Sequence, residues 1–260
     1  MMTVNDIGSC LAAIEARIEA RVVLVAGASC SGKTVLSREL ARQFVARGCP
    51  ALHLTLDDYY VGAARNPRDE NGDFDFETPD ALDAERVVAD VGGLLAGRAV
   101  HLHRYDFATH AIHDDPEPTT LAPGARIVIE GIHAFNPKMT ASLPEAVKCR
   151  VFVDPASVAE GIGPDELRLL RRIVRDERLR AIAPEETFRM WPKVQSGERR
   201  WLLPFRSAAD FVYDSAFPGE LERLLPVVRP LLEQACRERP DDRIAIALLA
   251  AATKRVAPCV

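Results

Sequence analysis

Gly27 to Thr34 reads "GASCSGKT", a G-x-x-x-x-G-K-[ST] spacing in which each part serves phosphate chemistry. Glycines let the main chain wrap closely enough for its N–H groups to face phosphate oxygens, and the start of a helix adds the positive end of its dipole. Gly27, Ser29, Cys30, Ser31, Gly32 and Lys33 would line such a cradle. Lys33 would reach the outer phosphates and the Thr34 hydroxyl would bind Mg²⁺. Cys30 is a thiol near a helix N-terminus, where thiolate is favoured; its plainer reading is a small residue in a tight loop.

Carboxylates stand where such a cradle needs them. In "LHLTLDDYY" the alternating Leu52, Leu54 and Leu56 predict a strand that ends on Asp57 and Asp58. If strand geometry persists, the two acids point to opposite faces, Asp57 toward the crevice outside the strand ends and Asp58 toward a bracing role. "RIVIE" predicts a second apolar strand closing on Glu130, a further Mg²⁺ contact if that strand lies beside the one preceding the loop. In "LRLLRRIVRDERLR" the spacing puts Arg168, Arg171, Arg172 and Arg175 on one helical face, continued by Arg178, with only Asp176 and Glu177 as acids inside the run. Like-charge neighbours cost about 0.2–0.5 kcal/mol per pair unless an anion joins them, and a triphosphate is such an anion.

These groups need a scaffold, and the patterning supplies one. "RVVLVA" is a short apolar run of the kind found in buried parallel strands. A helical pattern from Lys33 to about Arg47 follows, then the "LHLTL" strand. Gly62 to Asp73 reads as an exposed loop, and "TPDALDAERVVADVGGLLAG" as a helix capped by Thr78 with Pro79 in its first turn. Further strands are expected at "RIVIE", "KCRVFVD" and "ADFVYDS". Helices are expected at 164–181, at "PEETFRMWPKVQSGERR" with a break at Pro192, at 220–237 and at "DRIAIALLAAATKRV". Strands alternating with helices predict an α/β fold, a doubly wound, mostly parallel sheet with helices on both faces. The expected organisation is a single domain: an N-terminal amphipathic helix at about 4–20, a core at about 21–160 and 205–260, and an arginine-rich lid at about 163–203.

Bulk properties narrow the function classes. A net charge of -5 lacks the basic excess of a nucleic-acid or anionic-membrane binder, so neither partner is expected. No apolar run reaches the ~18 residues of a membrane span, and the N-terminus lacks the basic-then-apolar layout of a signal peptide. Six cysteines without a C-x-x-C pair suggest reduced thiols and a cytoplasmic setting rather than zinc or disulfides. A homo-oligomer is compatible with the chain.

Taken together, "VAGASCSGKT", "LDDYY", "FDFETPDALD", "RYDFATH", "VIEGIHAFN", "VFVD", the arginine run through "RMWP" and "AADFVYDSA" resemble the uridine kinase and phosphoribulokinase family of P-loop kinases, in its nucleoside kinase branch, over roughly Val22 to Ala216. That resemblance implies ATP and Mg²⁺ as cofactors, a small nucleoside as acceptor, and the P-loop fold with a helical lid. It implies that Asp57 orients or deprotonates the acceptor hydroxyl and approaches the metal with Thr34 and Glu130. It implies further that Glu77, with Asp75 as neighbour, holds the ribose diol, that Tyr60, Tyr105 and His110 contact the base, and that lid arginines drawn from Arg168, Arg171, Arg172 and Arg175 contact phosphate. One departure stands at Ile112, where the pyrimidine kinases commonly carry an arginine.

Three functions follow. The first is transfer of the γ-phosphoryl group of ATP to a nucleoside 5'-hydroxyl, the nucleoside being uridine- or cytidine-like. The second keeps the reaction but takes a sugar phosphate or pantothenate-like alcohol, for which Arg65, Arg68 and His103 are the available cations. The third is an ATP-binding regulatory protein with slow turnover, against which the carboxylate at Asp57 argues.

Overall fold

The computed structural model describes residues 2–107, 109–157 and 162–254. Cys259, and the last two residues of the expected tail helix, Arg255 and Val256, lie outside them. In chain order the elements are β1 (Met2–Val4), α1 (Ile7–Glu15), β2 (Val22–Gly27), α2 (Lys33–Ala46), β3 (Ala51–Thr55), α3 (Gly62–Arg65), α4 (Ala84–Leu95), β4 (His103–Asp106), β5 (Ala111–Asp114), β6 (Arg126–Glu130), α5 (Pro137–Thr140), β7 (Lys148–Asp154), α6 (Pro164–Arg180), α7 (Pro184–Trp201), β8 (Phe211–Asp214), α8 (Glu220–Glu238) and α9 (Arg243–Lys254).

The main sheet runs β1-β8-β7-β2-β6-β3, and the pairs β1–β8, β7–β2, β2–β6 and β6–β3 are parallel. All of β2 is buried, as its unbroken apolar run requires. Alternation sends its side chains into two cores. Val22, Leu24 and Ala26 pack with Val87, Val91 and Leu94 of α4. Val23 and Val25 pack with Leu11 and Ile14 of α1 and Leu36, Leu40 and Phe44 of α2. Each of the Val, Leu, Ile and Phe side chains contributes about 1.5–3 kcal/mol on burial, and the result is the doubly wound α/β sandwich the patterning implies.

The described residues divide into two compact units. One comprises the residues up to Ala28, Gly32–Val153 and Gly197–Tyr213; the other comprises Ser29–Ser31, Asp154–Ser196 and the residues from Asp214 on. The second unit has its own core, in which Leu170 and Ile173 of α6, Trp191 of α7 and Val228 and Leu232 of α8 are buried with Leu248 of α9. Residues from Asp214 on thus group with the arginine-rich helix.

Several elements differ from expectation for identifiable reasons. The N-terminal helix is confined to α1 because Asp6, in extended conformation, caps it through Ser9 N–H at 2.8 Å, and Met2–Val4 pairs with β8 instead. β3 stops at Thr55, whose hydroxyl accepts from Asp57 N–H at 3.2 Å and caps a 3-10 turn at Leu56–Tyr59. Thr78 caps only a 3-10 turn, Pro79–Ala81; Leu82 is then extended, bridged to Tyr60, and Asp83 caps α4 through Arg86 N–H. α7 continues through Pro192 without a break, since Phe188, Trp191 and Val194 on both sides of it are buried in one core and that packing offsets the ~3 kcal/mol of an internal proline. The Gly62–Asp73 segment opens with α3, and His103–Asp106 pairs antiparallel with Ala111–Asp114 in a β4–β5 hairpin that the patterning does not reveal.

Candidate functional site

Register brings three strand ends level, because Val25, Glu130 and Thr55 are partners across β2, β6 and β3. Gly27 and the phosphate loop follow just beyond Val25, and Asp57 just beyond Thr55. Between them Glu130 is 2% exposed. The loop reaches α2 through Gly32, whose φ of 96° is left-handed and suits glycine. Thr34, in the first turn of α2, donates its hydroxyl to Glu130 Oε1 at 3.0 Å, while Glu130 Oε2 is buried with no hydrogen-bond partner among the described residues. The buried Ser31 hydroxyl likewise has none among them. Lys33 is half-buried. Ser37 fixes this turn, donating to Thr34 O at 3.0 Å and lying 2.9 Å from His53 Nε2, whose pKa burial lowers.

Asp57 rides on the 3-10 turn rather than on a strand. A Cβ at Gly131 would come within 2.7 Å of Leu56 Cβ, so the bare main chain after Glu130 lets that turn seat against the end of β6. Asp58 turns to Arg104 at 2.5 Å, and Arg104 also pairs with Asp115 at 2.7 Å, tying the hairpin to the turn. Burial raises the Asp58 pKa despite that arginine.

The residues expected to meet an acceptor form an aromatic cluster in the same unit. Tyr60 lies 5.3 Å from Tyr105, and Phe76 stacks on His110 at 5.9 Å. The Tyr105 hydroxyl is 2.7 Å from His110 Nδ1, and burial raises the Tyr105 pKa. Tyr60 donates to the Phe76 carbonyl at 3.3 Å, and Asp75 accepts from Glu77 N–H at 3.1 Å, so both hold the main chain around Glu77. Ile112 is 42% exposed and packs toward Gly62.

In the second unit, α6 grips the tip of the phosphate loop. Arg168 donates to Ser29 O at 3.0 Å while paired with Asp165 and placed over the Trp191 ring. Arg171 donates to Cys30 O at 3.2 Å and is ion-paired with Glu220 at 2.6 Å. Arg172 donates to Ser29 Oγ at 3.0 Å. Arg175 turns to Asp176 at 2.6 Å, and Arg178 is exposed. Cys30 takes a φ of 58° in this tip.

Sequence reasoning missed three contributors. Asp176 is fully buried and gathers Arg172, Arg175 and the Thr187 hydroxyl; its place inside the arginine run was visible, its burial was not. Gly131 left no signal but its position after an acid. His133, 2% exposed, has its pKa pushed down to about 4 by burial, against smaller opposing effects from the Glu77 main chain and Asp80.

Comparison with known proteins adds independent findings. The sequence model of the Phosphoribulokinase / Uridine kinase family matches residues 22–216. The chain is 30% identical over 199 residues to a uridine kinase of Chloroflexus aurantiacus, covering 76% of this chain and 86% of that one. It is 31% identical over 155 residues to a uridine kinase of Leuconostoc citreum, covering 60% and 68%. Its fold is similar, at a TM-score of 0.53 and 20% identity, to a structure described as a possible uridine kinase from Bacillus stearothermophilus, covering 80% of this chain and 97% of that one.

Proposed function

The chain belongs to the Phosphoribulokinase / Uridine kinase family, a family of phosphotransferases, and from that premise we propose that it moves the γ-phosphoryl group of ATP to the 5'-hydroxyl of a uridine- or cytidine-like nucleoside. The observation that carries this reading is the acid pair at the strand ends, Glu130 against Thr34 and Asp57 on the adjoining turn. A protein that only binds nucleotide has no use for a second carboxylate beside the phosphate loop.

The donors fit Mg²⁺. A buried carboxylate oxygen without a hydrogen-bond partner costs about 1–3 kcal/mol or more unless something cationic joins it, and Glu130 Oε2 is such an atom beside a hydroxyl. Among the described residues no three His, Cys, Asp or Glu side chains converge, and a sparse set of this kind suits an ion that keeps its waters. Thr34 and Glu130, with Asp57, would hold it, and the ion would neutralise charge on the β- and γ-phosphate oxygens.

Lys33 and the loop N–H groups bind the triphosphate, Arg168 and Arg172 add positive charge at the Ser29 tip, and Arg171 holds that tip through Cys30 O. Arg175, paired with Asp176, supports Arg172. Glu77, braced by Asp75, holds the ribose diol, and Tyr60, Tyr105 and His110 hold the base. Asp57 takes the 5'-hydroxyl proton as that oxygen bonds to the γ-phosphorus and the bond to the β,γ-bridging oxygen breaks, releasing ADP. The cations a phosphorylated acceptor would need are otherwise engaged. Arg65 pairs with Asp83 at 2.9 Å, Arg68 donates to Gly72 O, and His103 lies buried beside Asp114.

ADP release measured with Mg-ATP against nucleosides, sugar phosphates and pantothenate tests the reading. Stimulation by a sugar phosphate alone would replace it with the second acceptor class, and no stimulation by anything would replace it with a regulatory role. Asp57→Asn is expected to lower turnover by about 10²–10⁴-fold with ATP binding nearly intact. Near-normal turnover in that variant removes Asp57 from the chemistry.

A further inference from the structure

We propose that Gly197 is a positioning residue for the acceptor-binding carboxylate Glu77, an assignment that rests on the nucleoside kinase reading above. Gly197 lies inside α7, where alanine is the better helix former. Its φ is not among the positive values of the chain, so no unusual backbone conformation calls for glycine. Space does. A Cβ built at Gly197 would stand 2.4 Å from Glu77 Cβ, 2.9 Å from its Cγ and 3.2 Å from Oε2. The nearest of these is the root of the side chain, so swinging the carboxylate aside does not relieve the overlap; the Glu77 main chain or α7 has to move.

That main chain has little room to give. Glu77 N–H donates to Asp75 Oδ1 at 3.1 Å, and the Tyr60 hydroxyl holds the neighbouring Phe76 carbonyl. Glu77 therefore sits between a braced main chain and the bare backbone of α7, which sets where its carboxylate points. All of these residues belong to one compact unit. By contrast, a Cβ at Gly92 in α4 meets nothing within 4 Å, which makes that position a control for the generic effect of glycine in a helix.

Kinetics on the full chain, varying the best nucleoside and ATP in turn, compare wild type, Gly197→Ala and Gly92→Ala. Gly197→Ala is expected to raise the nucleoside KM at least ten-fold while the KM for ATP stays within two-fold; Gly92→Ala is expected to move neither. Melting temperature gives a second readout that needs no turnover. Gly197→Ala should lower it in the wild-type background but not in a Glu77→Gly background, where the atom it strikes is gone. An unchanged nucleoside KM in folded Gly197→Ala, or an equal melting loss in both backgrounds, overturns the proposal and leaves the kinase reading intact. A wild-type chain that phosphorylates no nucleoside overturns the kinase reading, and the role of Gly197 with it.

Discussion

His133 shows how much one side chain can set. Its folded pKa is pushed down to about 4 by burial, against an ordinary value near 6.5. Between those two values the unfolded chain binds a proton that the folded chain refuses, so stability rises with pH across the window and falls as pH drops from about 6.5 toward 4. A shift of that size corresponds to about 3 kcal/mol. Denaturant titrations across the window should show this slope in the wild type and lose most of it in His133→Asn; equal slopes would contradict it. Burial of this kind is invisible in the sequence, where His133 is one histidine in a mixed apolar stretch. The same holds for Asp176. Periodicity located the arginines on a face, but only packing decided that Arg168 and Arg172 meet Ser29 while Arg175 meets a buried carboxylate.

At the scale of elements, local signals named most helices and strands and misplaced their ends. The leucine alternation into Asp57 predicts continuous strand, yet Thr55 supplies a hydroxyl cap that turns the chain before the acid. That cap changes the site, since a turn can aim Asp57 and Asp58 independently of strand alternation. Thr78 and Asp83 compete as caps ahead of α4, and the bridge from Leu82 to Tyr60 gives the helix start to Asp83. Within α4, Gly92 has open space where its Cβ would stand. Gly92→Ala is therefore expected to stabilise by about 0.5–1 kcal/mol through helix propensity, read as a higher urea midpoint at unchanged slope. A lower midpoint would mean that α4 is packed more tightly there than its backbone indicates.

The sheet unit is layered around strands buried on both sides, with β5 of the hairpin exposed along its whole length. Amide hydrogen exchange should follow that contrast, with β2 and β6 slowest and the β5 amides faster by orders of magnitude. Equal protection in hairpin and central strands would break the link between burial and local stability in this unit. Among the described residues no helix is long and apolar enough to cross a membrane. What the sequence determined by itself was everything local: the phosphate loop between an apolar strand and a helix, acids at strand ends, and the α/β alternation that implies a parallel sheet. Tertiary structure alone decided which of those pieces meet. Thr34 reaches Glu130 across 96 residues, and Arg172 reaches Ser29 across 143. Spacing rules extend a few residues along one element, whereas these contacts depend on strand order and helix packing. Gly131 and Gly197 make the same point, because the need for an absent side chain arises only when another part of the chain arrives beside it.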